Sequence, residues 1–212
     1  MTREPSKYEW NMMELQDGIT TSSGNWYHTN SKQINNYIPG LLKKFKVEDI
    51  IKNADHWVAS ANGFSLVVYL ILALLGVNPY LSGIISLLFF VMWYRNTSAF
   101  AYPGLNSLAR LLNFDGFIYV ISGASLIWLG MSGAYVATWI GLVMFFLFKV
   151  GLLQLGMKWL DKKSDKAERQ DKILNMLLIR YGMKEGLMSG KIEDMQKSLI
   201  NTVNYHKTRK KK

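Results

Sequence analysis

From Trp57 to Phe148 the chain is a succession of apolar runs in which only Arg95, Arg110 and Asp115 carry charge. The runs form four segments, at about 58–75, 80–94, 117–131 and 134–155. A helix needs roughly 20 predominantly apolar residues to cross a hydrocarbon core about 30 Å thick. Exposed irregular backbone is too costly in lipid, so each segment is expected to be helical. Two are short: fifteen residues at 1.5 Å per residue reach only about 22 Å. Flanking residues then extend them, the bilayer thins, or the helices wedge into one leaflet.

Between the first and second runs lies "LLGVNPYLSG", and between the third and fourth "WLGMSGAY"; neither turn is charged. The pattern therefore predicts two hairpins, 58–94 and 117–155, joined by a connector over 95–116. Together they make a four-helix transmembrane region over 57–156. In the connector, "LNSLARLLNF" sets Leu105, Leu108, Leu111 and Leu112 on one helical face with Arg110 toward water, as a segment lying at the membrane surface.

The flanks differ in kind. Residues 1–37 form a polar N-terminal arm in which "GITTSSGNWYHTNS" is loop-like. Disorder is the plain expectation. Its aromatics, Tyr8, Trp10, Trp26, Tyr27 and Tyr37, allow docking onto a neighbour instead. Residues 38–56 predict an interfacial amphipathic helix, with Leu41, Leu42 and Phe45 toward lipid and Lys43, Lys44 and Lys46 toward head groups. Residues 157–212 predict a basic cytosolic helical tail. "KWLDKKSDKAERQDK" is charged linker or helix, and "ILNMLLIRYGM" follows. Ile192, Met195, Leu199, Ile200 and Val203 then recur at helical spacing beyond the breaks at Gly186 and Gly190. The expected class is thus an all-α integral membrane protein with four transmembrane helices.

Charge supplies the orientation. Residues 149–212 hold nine of the ten excess positive charges, while residues 1–56 balance. Positive residues beside spans stay cytoplasmic. Both termini and the connector are therefore expected on the cytoplasmic side, most simply of a bacterial inner membrane, with a eukaryotic endomembrane as the alternative. Lys162, Lys163, Lys210, Lys211 and Lys212, with the lysines of 43–46 and Arg110, would meet anionic lipid head groups or a partner. Clustered lysines can also neutralise nucleic-acid phosphates, but a tail directly after a membrane segment argues for lipid. The N-terminus lacks a charged-then-apolar signal pattern, so the first membrane segment is expected near Trp57.

Candidate chemistry is sparse. The chain has no cysteine, which removes disulfides and thiolate nucleophiles. No phosphate-binding, metalloprotease, serine-hydrolase or dinucleotide motif occurs, and no cofactor or enzymatic activity is expected. The histidines, at positions 28, 56 and 206, lie outside the apolar segments. Asp55 and His56 are neighbours at the start of the first one, as a helix cap or a proton-handling pair. Lys149 is the ionisable residue within a span, snorkelling to the surface or paired with Asp115, and such groups are functional candidates. Small residues at i, i+4 (Ala59/Gly63, Ser82/Ser86, Ala137/Gly141) predict close helix packing.

The leading expectation is a non-enzymatic subunit or anchor of a multi-protein membrane assembly of the secretion, conjugation, motility or respiratory type. Its partners would be other membrane-protein subunits, with self-association left open. The layout, two apolar hairpins and an amphipathic tail, resembles that of eukaryotic reticulon-type and prenylated-Rab-acceptor-type proteins. That likeness is of layout alone, without a shared motif, and implies membrane shaping or trafficking as a second expectation. A small oligomeric channel or carrier using Lys149, Asp115 and the span serines is the third.

Overall fold

A computed structural model of the protein describes residues 10–149, 151–160 and 163–188. They are mostly helical, as the apolar periodicity requires, and the chain divides into two compact units. One takes its described residues from Met1–Asp55, Ser98–Gly104 and Lys163–Lys212, the other from His56–Thr97 and Leu105–Lys162.

In the first unit, β1 (Met12–Glu14), β2 (Ile19–Thr21) and β3 (Trp26–Tyr27) form an antiparallel sheet in that order, with Met12 opposite Thr21 and Ile19 opposite Tyr27. This corrects the expectation of a loop-like arm: residues 10–37 fold. Gly24, with φ +73°, turns the chain between β2 and β3 without the strain a side chain would meet there. Helix α1 (Ser31–Tyr37) starts on a capping box in which Asn30 accepts from the Gln33 amide and Gln33 returns the bond. Helices α2 (Leu41–Lys44) and α3 (Val47–Leu74) follow, and the described tail forms α9 (Lys163–Lys184).

The core of this unit gathers Ile19, Tyr27, Ile34, Ile38, Leu41, Ile50 and Ile51, and α9 buries Ile173, Leu174, Leu177 and Leu178. Leu41 is therefore a core residue and not a lipid-facing one, and Phe45 packs on Tyr181 with ring centroids 4.7 Å apart. The interfacial helix expected over 38–56 is replaced by short α2 and the opening turns of α3. Arg180 of α9 donates to the carbonyls of Ala99 and Ala101, satisfying acceptors that a helix end leaves free.

The second unit holds the rest of α3, α4 (Pro79–Phe100) up to Thr97, α5 (Asn106–Asn113), α6 (Asp115–Met131), α7 (Tyr135–Lys149) and α8 (Leu152–Leu160). Its core is apolar (Trp57, Leu66, Tyr69, Phe90, Leu126 and Phe148 are buried), and much of its outer surface is apolar as well. Ser60, Ser65, Ser82, Ser86, Thr97 and Ser122 are buried, while Ile84, Leu88, Val120, Ile127, Trp139 and Phe146 are exposed. The hydroxyls sit where helices touch: Ser86 donates to the Ser65 carbonyl at 2.6 Å, and Ser60 accepts from Trp93 Nε1 at 2.8 Å. Trp93 also stacks on Phe64, with centroids 3.9 Å apart.

Among the described residues α3 alone is long and apolar enough to cross a membrane, and just over half of its most apolar stretch is buried. The 3₁₀ turn Pro103–Leu105 with α5 reaches that length only together with α6, across a 64° bend. At 17 and 15 residues, α6 and α7 measure about 26 and 22 Å. The fourth apolar run does not continue as one helix: α7 stops at Lys149, Gly151 takes φ +78°, and α8 begins at Leu152. Four full spans are thus not given by helix length.

Two of the small-residue pairs lie at close contacts. A Cβ added to Gly63 would stand 2.0 Å from the Leu112 carbonyl oxygen, and one added to Gly141 would stand 2.5 Å from Leu126 Cδ2. Backbone cannot yield as a side-chain tip can, so Gly63→Ala should destabilise the protein by at least about 1–3 kcal/mol. Gly83→Ala, whose new Cβ would meet Ile140 at an ordinary 3.7 Å, should be neutral or gain up to about 1 kcal/mol from helix propensity. Thermal unfolding in detergent compares the two; equal midpoints would remove the close α3–α5 contact from the account.

Candidate functional site

The second unit contains a cavity of about 220 Å³ between α3, the end of α5, the start of α6 and the end of α7. Ala59, Gly63, Leu66, Leu112, Ile118 and Phe148 give it apolar walls, and Asn62, Asn113, Asp115 and Lys149 give it polar groups. Each polar group is placed by local structure. Asp115 opens α6, where a carboxylate suits the helix N-terminus, and Lys149 closes α7, where a cation suits the C-terminus. Because α6 and α7 are joined by a short turn, these two ends lie together, and Lys149 Nζ forms an ion pair with Asp115 Oδ1. The ammonium also lies 5.1 Å from the Tyr119 ring centroid.

Asn113 holds the α5–α6 bend, donating to the carbonyls of His56 at 2.6 Å and Ala109 at 2.7 Å. Asn62 Oδ1 is different. It is buried and has no hydrogen-bond partner among the described residues, a state that costs about 1–3 kcal/mol.

Of the residues the sequence singles out, Lys149, Asp115, Ala59 and Gly63 come together at this cavity. Ala137 and Gly141 line α7 elsewhere, where Tyr69 donates to the Ala137 carbonyl at 2.7 Å. Ser86 bonds across to α3, whereas Ser82 Oγ is buried without a partner among the described residues. Lys43, Lys44 and Lys46 are exposed, with Lys44 paired to Glu185 at 2.7 Å. On α5, Leu112 faces inward with Ala109 while Leu105, Leu108 and Leu111 are exposed beside Arg110, so the expected single leucine face is divided. Lys162, Lys210, Lys211 and Lys212, and the helical pattern over 192–203, lie outside the described residues, as does the side chain of Lys163.

Asp55 lies within α3 and does not cap it. Its buried carboxylate accepts from Trp10 Nε1 at 2.9 Å, Asn25 Nδ2 at 3.0 Å and the Tyr27 hydroxyl at 2.7 Å. The network continues through Asn25 Oδ1, which accepts from Gln170 Nε2 at 2.7 Å. Asp171 accepts from the His28 amide at 3.0 Å and lies 2.7 Å from His28 Nδ1, which therefore carries the proton. Burial, followed by the Asp55 charge, raises the pKa of Tyr27 well above its ordinary value. These bonds fasten β3 and α3 to α9. Among the described residues no group of three or more His, Cys, Asp or Glu side chains could hold a metal ion.

Sequence reasoning missed Asn62, Asn113 and the partners of Asp55, because an asparagine in an apolar helix or a glutamine 145 positions from its partner carries no local signal. In comparisons with protein-family models, curated proteins and solved structures, nothing matched the chain.

Removing the Asp55 carboxylate strands three donors. Asp55→Ala should cost about 3–5 kcal/mol of stability in the first unit, against about 1–2 kcal/mol for Tyr27→Phe; hydrogen exchange of the β2 and β3 amides reads both. Since the folded-state pKa of Tyr27 is raised, its contribution is complete below the unfolded value near 10 and is lost as pH rises beyond it. Wild type should therefore show a steeper alkaline loss of protection than Tyr27→Phe, and identical profiles would exclude that role.

Proposed function

We propose that the chain is a multi-pass membrane protein without enzymatic activity, whose helical second unit sits in lipid and anchors the folded first unit on the cytoplasmic face as a subunit of a larger membrane assembly. The observation that carries this reading is the apolar outer surface of the second unit. Hydroxyl side chains are buried at helix contacts, and large aliphatic and aromatic side chains face outward on α3, α4, α6 and α7. In water so many large apolar side chains facing outward would promote aggregation. In lipid it needs no protein cover, and interhelical bonds from Ser, Tyr and Trp supply specificity.

Support for an anchor comes from the distribution of polar structure. The two hairpin turns, 75–78 and 132–134, have no charged group, whereas the first unit presents Lys43, Lys44, Lys46, Glu48 and Asp49 on its surface. The excess positive charge of the tail keeps that side cytoplasmic. Short α6 and α7 fit a locally thinned bilayer or a surrounding protein that completes their cover.

The absence of cysteine makes the topology directly testable. Leu75→Cys and Ser132→Cys should react with a membrane-impermeant maleimide applied to intact cells, while Lys43→Cys should react only after permeabilisation. The protein should remain in the membrane pellet at pH 11. Release at pH 11, or labelling of Lys43→Cys from outside, contradicts the reading.

A further inference from the structure

The outer face of the α6–α7 hairpin is banded. Its middle is aliphatic and aromatic without polar tips: Val120, Ala124 and Ile127 on α6, and Val143 and Phe146 on α7, are all exposed. At the turn end stand two exposed indoles. Trp128 lies three residues before the end of α6 and Trp139 four residues after the start of α7. On antiparallel neighbours that spacing puts both rings at one level, about 5 Å from the helix tips, with exposed Tyr135 beyond them. At the opposite end the Lys149–Asp115 pair and the Tyr119 ring beside the ammonium make a second polar level. There α5, whose exposed Leu108 and Leu111 flank Arg110, meets α6 at a 64° bend instead of continuing it.

Each boundary has the chemistry of a membrane–water interface. Tryptophan and tyrosine settle there because their rings are apolar and their tips polar. A lysine reaches it with its stem in the hydrocarbon, and a short amphipathic helix lies along it. A protein partner imposes no common level on such groups, whereas a lipid boundary does. The levels are close together: 13 residues separate Asp115 from Trp128 and 10 separate Trp139 from Lys149, or about 20 and 15 Å along the helices. An ordinary hydrocarbon core measures about 30 Å. Sinking the hairpin into it would draw either the ion pair or the indole N–H groups into hydrocarbon, at a cost that lipid deformation avoids.

We infer that the outer face of the α6–α7 hairpin is a lipid-binding face matched to a hydrocarbon core of about 15–20 Å, which pulls the two leaflets together around it in any thicker bilayer. The inference rests on the membrane reading above and goes further by assigning this face to lipid and to a particular thickness.

The test uses the full chain with one introduced cysteine at a time, Phe114→Cys, Ala124→Cys or Met131→Cys, all at exposed positions of a cysteine-free sequence. Each is nitroxide-labelled and reconstituted alone in phosphatidylcholine bilayers with chains of about 14 and about 22 carbons, thinner and thicker than the usual core. Labels at 114 and 131, one at each end of α6, should be relaxed by a water-soluble nickel chelate in both bilayers, with less than about a twofold difference between them. The label at 124 should be relaxed by oxygen in both. A larger loss of nickel contact at either end in the thicker bilayer means that the helix end sinks and the lipid does not yield, which overturns the proposal. A label at 124 closed to both reagents means that a second copy of the chain covers the face, and overturns lipid as the occupant while leaving the membrane reading in place. A label at 124 open to nickel and closed to oxygen removes the membrane reading itself.

Discussion

A helical surface of isoleucine, leucine, valine, phenylalanine and tryptophan has to be covered, and in residues 56–160 the chain does not cover it with itself. Burying such a side chain is worth about 1.5–3 kcal/mol; those left exposed gain nothing from folding in water and favour association with another apolar surface. Under the proposed lipid placement, hydrophobic exclusion would not bring the helices together, and small residues and directed bonds would have to. Gly63 lies against the Leu112 carbonyl, Ser86 bonds the Ser65 carbonyl, and Tyr69 bonds that of Ala137. The Trp57–Trp93–Phe64 stack adds shape to the α3–α4 contact.

The same constraint makes the few polar groups in the unit informative. Lys149 and Asp115 are held at adjacent helix ends, where each satisfies the other and the local helix dipole. Asn62 Oδ1 has no such arrangement among the described residues, and a buried amide oxygen without a partner is costly. The first unit obeys the opposite logic. It is stabilised by a conventional apolar core and by a hydrogen-bond network around Asp55 in which three donors converge on one carboxylate.

Much of the helical part is legible in the sequence because its signal is local. The apolar runs near 58–75, 80–94 and 117–131 fall inside α3, α4 and α6, and Gly63 and Gly141 stand at the close contacts their spacing suggested. The misses have a common cause. Strands of two or three residues are too short for a period-two pattern to show, so the polar N-terminal stretch reads as loop. "KWLDKKSDKAERQDK" reads as charged linker or helix, and from Lys163 it is helix; what the sequence does not show is that Gln170 and Asp171 bond residues 143 to 145 positions away. Leu41 looks lipid-facing beside its lysines, yet tertiary packing decides its burial. Of the site, the Lys149–Asp115 pair was visible, while Asn62 was one polar letter in an apolar run.

The most direct test of lipid cover is spin-label accessibility on the outer faces. Nitroxides at Leu88, Val120 and Phe146, all exposed in the structure, should in liposomes be readily relaxed by oxygen and shielded from a water-soluble nickel chelate. A label at Lys43 should show the reverse. If the labels at 88, 120 and 146 are open to nickel and closed to oxygen, water and not lipid meets those faces, and the account fails.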